Sequence, residues 1–424
     1  MTVGIYTLGC RVNQYESEAI AEELERRGYE VKKSGECEAY IINTCTVTAE
    51  SARKARQFIR RSDPSAYILV TGCYSQTEPE AVGRIEGVDY ICGTANKLSV
   101  VDALDALVRR GKKNKRPEYA VPGLAGAGFE RMCISSFGRT RAYVKIEDGC
   151  ANRCAYCIIP SARGPVRSKA PEDVVREVKG LVAAGYSEIV LTGIETSAYG
   201  ADFGCTLTDL LAQIDNVDGL CRLRLGSLDP KFADESFARF AAGSKHLCHH
   251  FHLSLQSGCD RTLAAMRRKY NTAQVRENIA RLRTLMPDVN FSADIIVGFP
   301  GESQEDFDTT CLFAEEIKLL HGHIFSYSKR PGTEAADMPG QIDEGIKSER
   351  NRILTGICDR TGAAIARACV GREYDVLFET CREGIATGHT DNFLEVSCEG
   401  DGLHGQVRRV KITDGGAVCK GELV

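Results

Sequence analysis

Residues 148–157 read Asp148-Gly149-Cys150-Ala151-Asn152-Arg153-Cys154-Ala155-Tyr156-Cys157. The thiols have C-x3-C-x2-C spacing, and a loop of this kind can wrap one face of an iron–sulfur cube. Three thiolates leave one iron of a four-iron cube open, and an open iron can bind a substrate or cofactor. A structural zinc loop is the alternative, but zinc usually takes four ligands in two close pairs, and no second pair lies nearby. The spacing therefore predicts an iron–sulfur cluster with an open iron.

Length and composition point to a globular protein of the cytoplasm. The chain has 424 residues, which predicts two or three domains. No apolar run approaches the ~20 residues of a membrane helix, and the N-terminus lacks the pattern of a signal peptide. The 19 cysteines are an odd number, which argues against a disulfide framework and favours a reducing compartment with metal or redox chemistry.

The charge balance gives no global signature of nucleic-acid binding. Lysine and arginine number 54, aspartate and glutamate 58, and the net charge is −4. Any contact with RNA must therefore use local basic patches. One candidate is the run Arg109-Arg110-Gly111-Lys112-Lys113-Asn114-Lys115-Arg116, which opens a glycine-rich linker over about 109–140. A solvated helix end explains this run equally well.

Residues 1 to about 110 alternate strand and helix patterns, which predicts a small doubly wound α/β domain. Cys10, Cys45 and Cys73 each follow one of its first three strands. Carboxyl ends of parallel strands share one sheet edge, so we expect the three thiols to lie close together. Ordinary buried cysteines are the alternative. Cys92 follows the fourth strand, and we expect it to be structural.

Each of these three cysteines lies in a short loop rich in small polar residues. The loops cover residues 8–14, 43–48 and 71–76. Glycine and small polar residues let a backbone approach a ligand and donate N–H groups to cluster sulfurs. The loops therefore favour a ligand-binding role over simple burial.

Residues 141–330 alternate strands and helices again, and six strand–helix units predict a partial (β/α)6 barrel. The active site of such a barrel belongs at the C-terminal ends of its strands. Eight polar or glycine positions fall there, although a turn alone can explain any one of them. They are Gly193, Glu195, Ser227, Ser254, Gln256, Ser257, Asp294 and Gly298.

After a helical connector over Asp343–Ala368, short alternating strands from Gly371 onward predict a small β-barrel. Such barrels often bind RNA. This one carries six basic and ten acidic residues, with Arg408, Arg409 and Lys411 clustered on one strand. The acidic balance leaves only this cluster as a candidate phosphate contact.

Two further groups of side chains invite a chemical interpretation. His249, His250 and His252 suggest a metal site, but a packing or orienting role is favoured. Glu147 and Asp148 precede the cysteine loop, where they can handle protons or cap the loop. No catalytic residue is assigned beyond the cluster ligands.

The cysteine loop resembles that of the radical S-adenosylmethionine (SAM) superfamily, and the whole chain is similar to the radical SAM methylthiotransferases. The segment Thr7–Glu16 resembles the branch that modifies N6-threonylcarbamoyladenosine in tRNA. The same branch is suggested by Cys157–Pro160, Ala162–Ser168, Leu191–Glu195 and Thr387–Asn392.

The resemblance implies two 4Fe–4S clusters and SAM as cofactors. Cys150, Cys154 and Cys157 would hold the SAM-binding cluster, Cys10, Cys45 and Cys73 an auxiliary cluster, and the eight strand-end residues would contact SAM. The implied domains are an N-terminal methylthiotransferase domain (1–112), a radical SAM core (136–366) and an RNA-binding barrel of the TRAM type (369–424).

The implied reaction is methylthiolation of C2 of N6-threonylcarbamoyladenosine at position 37 of tRNA, beside the anticodon. SAM would serve as both methyl donor and radical source. The implied partners are the tRNA anticodon loop and a reductase such as flavodoxin or ferredoxin.

Two alternatives stay open. One is methylthiolation of an aspartate on a small-subunit ribosomal protein, against which the residues around Cys10 argue. The other is a non-catalytic electron carrier with two clusters. Strand-end motifs beyond the cysteines and a C-terminal barrel are superfluous for a simple carrier.

Overall fold

The computed structural model describes residues 1–46 and 49–424. Val47 and Thr48, at the end of the loop expected after Cys45, lie outside the described residues. Within the described ranges, no helix is both long and apolar enough to cross a membrane.

The N-terminal part is a parallel sheet covered by helices. Its strands are β1 (Thr2–Thr7), β2 (Glu30–Lys32), β3 (Ala39–Thr44), β4 (Tyr67–Gly72), β5 (Val88–Cys92) and β6 (Glu118–Ala120). Its helices are α1 (Arg11–Arg26), α2 (Ala49–Arg61), α3 (Cys73–Thr77), α4 (Pro79–Gly83) and α5 (Ser99–Arg110). The strand order is β2-β1-β3-β4-β5-β6, so the direction of winding reverses between β1 and β3. A doubly wound domain binds ligands at such a reversal, outside the carboxyl ends of the strands.

Several short elements depart from the sequence prediction. The three-residue strands β2 and β6 are too short to show an alternating pattern, and β6 lies inside the stretch expected to be a linker. The sequence pattern predicts a helix over Glu78–Glu86, but the structure has only the shorter α4, which begins at Pro79 because proline suits the first turn of a helix. Cys73 is the first residue of the separate helix α3.

The central part contains six parallel β/α units within the described residues. Its strands are β7 (Ala142–Lys145), β8 (Glu147–Asp148), β9 (Arg167–Ser168), β10 (Glu188–Thr192), β11 (Arg222–Leu225), β12 (Ser227–Leu228), β13 (His250–Gln256), β14 (Asn290–Val297) and β15 (His321–Ser326). Its helices are α6 (Ile159–Arg163), α7 (Pro171–Ala183), α8 (Leu207–Ile214), α9 (Glu235–Gly243), α10 (Asp260–Ala265), α11 (Thr272–Leu285), α12 (Gln304–Ile317), α13 (Glu334–Asp337) and α14 (Glu344–Ala368).

The strands of the central part form an open, partial barrel. One sheet has the order β11-β10-β7 and the other β12-β13-β14-β15. Gly226 separates β11 from β12, so the third barrel strand runs through both sheets. The short pair β8–β9 lies beside the first strand and leads into the cysteine loop. The expected (β/α)6 architecture is confirmed.

Helix α1 joins the N-terminal sheet to the partial barrel. Its residues Ile20 and Leu24 pack in the core of the N-terminal domain. Its residues Tyr15 and Ala19 pack with the apolar core of the barrel. The Tyr15 hydroxyl also donates hydrogen bonds to the Met132 carbonyl and the Glu177 carboxylate, both at 2.9 Å. The two domains therefore share one continuous packing interface.

The C-terminal part is a closed β-barrel, as expected. Its strands are β16 (Glu373–Arg382), β17 (Ile385–Thr390), β18 (Glu395–Glu399), β19 (Val407–Asp414) and β20 (Cys419–Leu423), in the order β16-β17-β18-β20-β19. The barrel docks where the core strands begin. Arg222, at the start of β11, donates to the His389 carbonyl at 3.1 Å, and Asn290, at the start of β14, donates to the Asn392 carbonyl at 2.9 Å.

Candidate functional site

The reversal point of the N-terminal sheet carries the first set of cysteines. Cys10 follows β1, Cys45 follows β3 and Cys73 follows β4, so all three stand at the carboxyl edge of neighbouring strands. A Cβ built on Gly9 would lie 3.0 Å from the Cys45 Sγ, so the backbone beside Cys10 lies against Cys45. Cys10 and Cys73 are also close enough to interact electrostatically. The structure thus brings these three thiols to one place.

Asn13 ties two of these strand ends together. Its side-chain amide donates to the Leu8 carbonyl at 2.7 Å and to the Thr44 carbonyl at 3.0 Å. Leu8 comes just before the Gly9-Cys10 turn, and Thr44 directly precedes Cys45. The asparagine therefore fixes the spacing between the loops that carry these two cysteines.

The second set of cysteines lies in the loop after β8. The Asn152 N–H donates to the Cys150 Sγ at 3.4 Å, and Arg268 Nη1 donates to the Cys154 Sγ at 3.2 Å. The three thiols interact electrostatically with one another. Burial raises the pKa of Cys150 to about 12 and that of Cys157 to about 11. A bound metal must therefore displace protons from these thiols.

Each thiol set combines three cysteines with an N–H donor to at least one of their sulfurs, which is the donor chemistry of an iron–sulfur cluster. Among the described residues, no group of three or more histidine, cysteine, aspartate or glutamate side chains could hold one metal ion. Thiolates of a four-iron cluster bind different irons, so they need not converge on one point. N–H groups that donate to the cysteine sulfurs are a further feature of cluster sites. The residues present therefore fit two such clusters.

Arg163 connects the two thiol sets. It ends α6, six residues after Cys157, and its side chain is fully buried. Its Nε donates to the Cys73 Sγ at 3.3 Å, and its Nη1 donates to Glu16 at 2.7 Å and to Asp148 at 3.2 Å. The loop of one thiol set thus supplies a hydrogen bond to the other.

A network of buried charges surrounds Arg163. Glu16 pairs with Lys97, and with Lys145 at 2.7 Å, while Lys145 also pairs with Asp148 at 2.7 Å. Although burial alone raises the pKa of Glu16 and Asp148, the neighbouring cations hold the pKa of both carboxyls below its ordinary value. Asp148 therefore holds ion pairs at the domain interface and is not free to exchange protons.

A cavity of about 440 Å³ opens beside the cysteine loop. Its lining includes Cys157 together with Gln256 and Asp294, two of the eight strand-end residues. Arg330 also lines it and interacts electrostatically with Cys45 of the first thiol set. Cys157 of one set and Arg330, a cation that interacts with Cys45 of the other set, thus line the same cavity.

Glu195 and Gly193 lie near the cysteine loop. The Glu195 carboxylate accepts a hydrogen bond from Asn152 Nδ2 at 3.4 Å. The backbone N–H of Glu195 donates to Glu147 Oε2 at 2.8 Å. A Cβ on Gly193 would lie 2.7 Å from the same Glu147 oxygen, so glycine is needed for this approach. Burial, reinforced by the Asp229 carboxylate, raises the pKa of Glu195 to about 7. Glu147 thus caps the turn that holds Glu195.

The remaining strand-end residues divide into two groups. Ser227 begins β12 and the Ser254 carbonyl accepts from Arg268 Nη2 at 3.3 Å, so both stand close to the site. Ser257 is buried against α12, with its Oγ 3.2 Å from the Thr310 hydroxyl oxygen. The Gly298 N–H donates to Glu302 at 2.6 Å, and a Cβ there would lie 2.4 Å from Lys347 Cγ. The structure gives Ser257 and Gly298 partners within the fold.

The histidines of β13 form a chain with β14. Ser292 Oγ lies 2.9 Å from His250 Nε2 and 2.7 Å from His252 Nδ1. His252 Nε2 in turn lies 3.1 Å from Asp294 Oδ1. His252 therefore orients a cavity-lining carboxylate, as the packing interpretation anticipated.

Two other sequence candidates occupy structural positions. Cys92 is fully buried and packs in the core of the N-terminal domain. In the basic run, Lys113 Nζ donates to the carbonyls of Pro64, Ala66 and Gly87 at 2.6–3.1 Å. The lysine thus ties loops together and is not directed toward a ligand.

Sequence reasoning missed Asn13, Arg163 and Arg268 as partners of the thiol-bearing loops. Arg163 and Arg268 have no spacing relation to the cysteines that they serve, and Asn13, three residues after Cys10, shows no link to the loop of Cys45 in the sequence. The nearest signal was the Ala162–Ser168 motif, which contains Arg163, but the motif alone gives no contact with Cys73.

Comparisons with known proteins match both thiol-bearing parts. The model of the radical SAM superfamily matches residues 144–314, and that of the uncharacterized protein family UPF0004 matches residues 2–93. Among solved structures, the radical SAM methyltransferase TsrM from Kitasatospora setae, with tryptophan and a SAM analogue bound, is similar with a TM-score of 0.59. That match covers 90% of this chain and 79% of TsrM at 16% identity, so it supports the fold alone.

Curated relatives match over nearly the full length. The threonylcarbamoyladenosine tRNA methylthiotransferase MtaB of Bacillus subtilis is 37% identical over 98% of this chain and 94% of its own length. The MtaB of Thermotoga maritima is 36% identical over 100% and 98%. A tRNA-2-methylthio-N(6)-dimethylallyladenosine synthase of Syntrophus aciditrophicus is 33% identical over 93% and 88%.

Proposed function

This chain belongs to the radical SAM tRNA methylthiotransferases, and we propose that it adds a methylthio group to C2 of N6-threonylcarbamoyladenosine in tRNA. Two curated relatives that match over nearly the full length carry this activity in their names. The family uses SAM and 4Fe–4S clusters. Carbon 2 of adenine has neither an acidic proton nor a leaving group, so radical activation suits the reaction.

One observation supports this proposal most directly. A single cavity is lined by Cys157 of the second thiol set and by Arg330, which interacts with Cys45 of the first set. A reaction that needs both sites must bring one substrate atom within reach of each. A cavity beside one set of thiols, lined by a cation that interacts with the other set, suits a flipped nucleobase. A simple electron carrier has no need for such a cavity.

The protein's own residues hold and orient the reactive groups. Cys10, Cys45 and Cys73 would hold one cluster and Cys150, Cys154 and Cys157 the other. When bound, the clusters and SAM would supply the electron, the radical and the methyl group that substitution at C2 requires. Asn152, Arg163 and Arg268 donate hydrogen bonds to cysteine sulfurs and so restrain them. Glu195, Gln256 and Asp294 would orient SAM beside the cysteine loop.

We place the substrate adenosine at position 37, beside the anticodon. Bases of a single-stranded loop can be splayed out and read on their edges, whereas duplex bases cannot. Arg408 and Lys411 are exposed on β19 and would contact phosphate, while Arg409 lies within 3.5 Å of Glu373 and Asp375. Three further points stay predictions. They are a flavodoxin or ferredoxin as reductant, the cytoplasmic location, and the domain limits 1–112, 136–366 and 369–424.

The reaction is tested with anaerobically reconstituted protein, dithionite, SAM and tRNA that carries N6-threonylcarbamoyladenosine. We expect 5′-deoxyadenosine together with the 2-methylthio nucleoside, both read by mass spectrometry. A parallel tRNA with N6-dimethylallyladenosine tests the activity named for other relatives. Formation of 5′-deoxyadenosine without methylthiolation of either tRNA would contradict the proposal.

The cluster ligands are tested by counting iron in alanine variants. We expect Cys10→Ala, Cys45→Ala and Cys73→Ala each to lower bound iron by about one four-iron cluster. Cys92→Ala serves as the matched control, because Cys92 is a buried cysteine of the same domain. It should retain the full iron content. Equal iron loss in all four variants would contradict the assignment of Cys10, Cys45 and Cys73 as ligands and of Cys92 as a core residue.

A further inference from the structure

Arg11 reaches from the N-terminal domain into the partial barrel. It directly follows Cys10 and begins α1, and its side chain is half-buried. Its guanidinium carbon lies 5.8 Å from the centroid of the Tyr143 ring on β7. Asp294, which lines the cavity, interacts electrostatically with it, as does His323 on β15. The cation is therefore directed to the barrel interior close to the cavity.

The other charged groups around Arg11 already have partners. Arg141 lies 2.9 Å from Glu188 and 2.6 Å from Glu379, and Arg224 lies 2.6 Å from Glu188. Asp294 lies 3.1 Å from His252. Glu188 and Glu379 are thus committed to other arginines, whereas the contact of Asp294 with His252 is ionic only when the histidine is protonated.

Arg11 differs from these neighbours. Within residues 1–46 and 49–424, its side chain makes neither a hydrogen bond nor an ion pair. Because this half-buried cation has no such partner, it is available to an anionic ligand. A guanidinium suits a carboxylate in particular, since its N–H groups match the two oxygens.

We propose that Arg11 binds the carboxylate of the threonyl group on the substrate adenosine and so selects this nucleoside. The inference rests on the proposed function, because that function supplies the carboxylate. A dimethylallyl group on the same nitrogen carries no charge and gains nothing from Arg11. The cation thus discriminates between two modified adenosines that have the same reactive carbon 2.

Two other anions are near enough to be considered. The methionyl part of SAM carries a carboxylate of the same chemistry, and the thiolate of the adjacent Cys10 is a second anion. Binding to SAM would make Arg11 indifferent to the RNA substituent. If Arg11 instead stabilised the Cys10 thiolate, replacing Arg11 would lower the iron content. A test must therefore separate the RNA-borne carboxylate from both.

The test compares two anticodon stem-loop RNAs that differ at one group. One carries N6-threonylcarbamoyladenosine at position 37, and the other carries its threoninamide, in which a neutral amide replaces the carboxylate. The reconstituted protein is assayed for kcat/KM, for RNA affinity by fluorescence anisotropy, for the KM of SAM and for iron content. The variants are Arg11→Gln, Arg11→Lys and the control Arg26→Gln, from the exposed end of the same helix.

We expect the unaltered protein to prefer the carboxylate RNA over the amide RNA. Arg11→Gln should lose about 30-fold or more in affinity for the carboxylate RNA alone, because one partner of the charge pair is removed. Arg11→Lys should keep part of the preference, and Arg26→Gln all of it.

Three results would overturn the inference. They are a carboxylate preference that survives Arg11→Gln, a raised KM for SAM without a change in RNA preference, and a loss of about one cluster's iron in Arg11→Gln. Failure of the proposed function has a different signature. The unaltered protein would then form no 2-methylthio product on either RNA, while the affinity comparison would still decide the role of Arg11.

Discussion

At the scale of single residues, Arg163 has the most consequential contacts. Its guanidinium reaches Glu16 and Asn13 of the N-terminal domain and Asp148 of the core. The same side chain donates to the Cys73 sulfur. One arginine thus holds two domains and one thiol in a fixed relation, with no exposure to solvent.

Replacing Arg163 with glutamine should destabilise the chain by about 3–5 kcal/mol, because two buried carboxylates lose a cation partner. The measurement is urea unfolding followed by circular dichroism, since the chain has no tryptophan. Arg26→Gln is the control, as the Arg26 side chain is 70% exposed and pairs only at the surface. It should change stability by less than about 0.5 kcal/mol. Equal changes in unfolding free energy for the two substitutions would show that the buried ion pairs of Arg163 stabilise the chain no more than the exposed pair of Arg26 does.

Glu195 makes a pH-dependent contribution to the stability of the apoprotein. Its pKa is raised from 4.5 to about 7 in the folded chain, chiefly by burial. Between these values the folded state keeps a proton that the unfolded state has released, so stability falls as the pH rises through this window. The unfolding temperature of the unaltered protein, relative to Glu195→Gln, should therefore decrease from about pH 5 to pH 7. A constant difference over this range would contradict the assignment.

At the scale of elements, the reversal between β1 and β3 gathers the first set of thiols. Parallel strands end at one edge, and glycine there allows the close approach of neighbouring turns. Gly72, which ends β4, has φ +107°, and a Cβ on it would lie 2.3 Å from the Thr44 carbonyl oxygen. The turn that carries Cys73 therefore fits beside the turn that carries Cys45 only with glycine at this position.

Gly72→Ala should lower bound iron by about one four-iron cluster, because the strand ends that carry Cys45 and Cys73 are pushed apart. Iron is counted after anaerobic reconstitution. Gly28→Ala is the matched control, since Gly28 also has a positive φ, +87°, but a Cβ there meets nothing within 4 Å. It shares the backbone strain without the steric clash and should keep its iron. Iron loss in the control would assign the effect to backbone strain alone.

At the scale of the whole molecule, the C-terminal barrel docks on the end of the core where the strands begin. Phe393 is central to this contact. Its ring stacks on His250 at 4.5 Å, and the guanidinium carbon of Arg224 lies 4.8 Å from its centroid. Because active sites of such cores lie at the opposite strand ends, the barrel lies away from the reacting end of the core.

Phe393→Ala should free the barrel from the core. The chain between α14 and β16 contains Arg372, an exposed trypsin site. We expect cleavage there to accelerate about 10-fold or more, because proteolysis follows the population of the undocked form. Ile385→Ala is the control, since Ile385 is 45% exposed on the same barrel. Unchanged cleavage in Phe393→Ala would show that other contacts hold the barrel.

The amino-acid sequence by itself determined the alternation of strands and helices and the positions of the cysteines at strand ends. Apolar periodicity and the spacing Cys150-x3-Cys154-x2-Cys157 are local properties, so they can be read without coordinates. The sequence patterns predict a strand over Val88–Cys92 and helices over Ala49–Arg61 and Thr272–Leu285, and β5, α2 and α11 have these limits. The sequence did not predict short elements such as β2 and β6, because three residues are too few to show an alternating pattern.

Only the tertiary structure decided which side chains meet. Arg163 and Cys73 are 90 positions apart, and Arg224 contacts Phe393 across a still longer separation. No periodicity links such pairs, because their approach depends on strand order, helix packing and barrel docking together. The same holds for Arg11, whose neighbour in sequence is a thiol but whose neighbours in space belong to the barrel interior. Contacts of this kind follow from the packing of whole domains, which a local pattern does not contain.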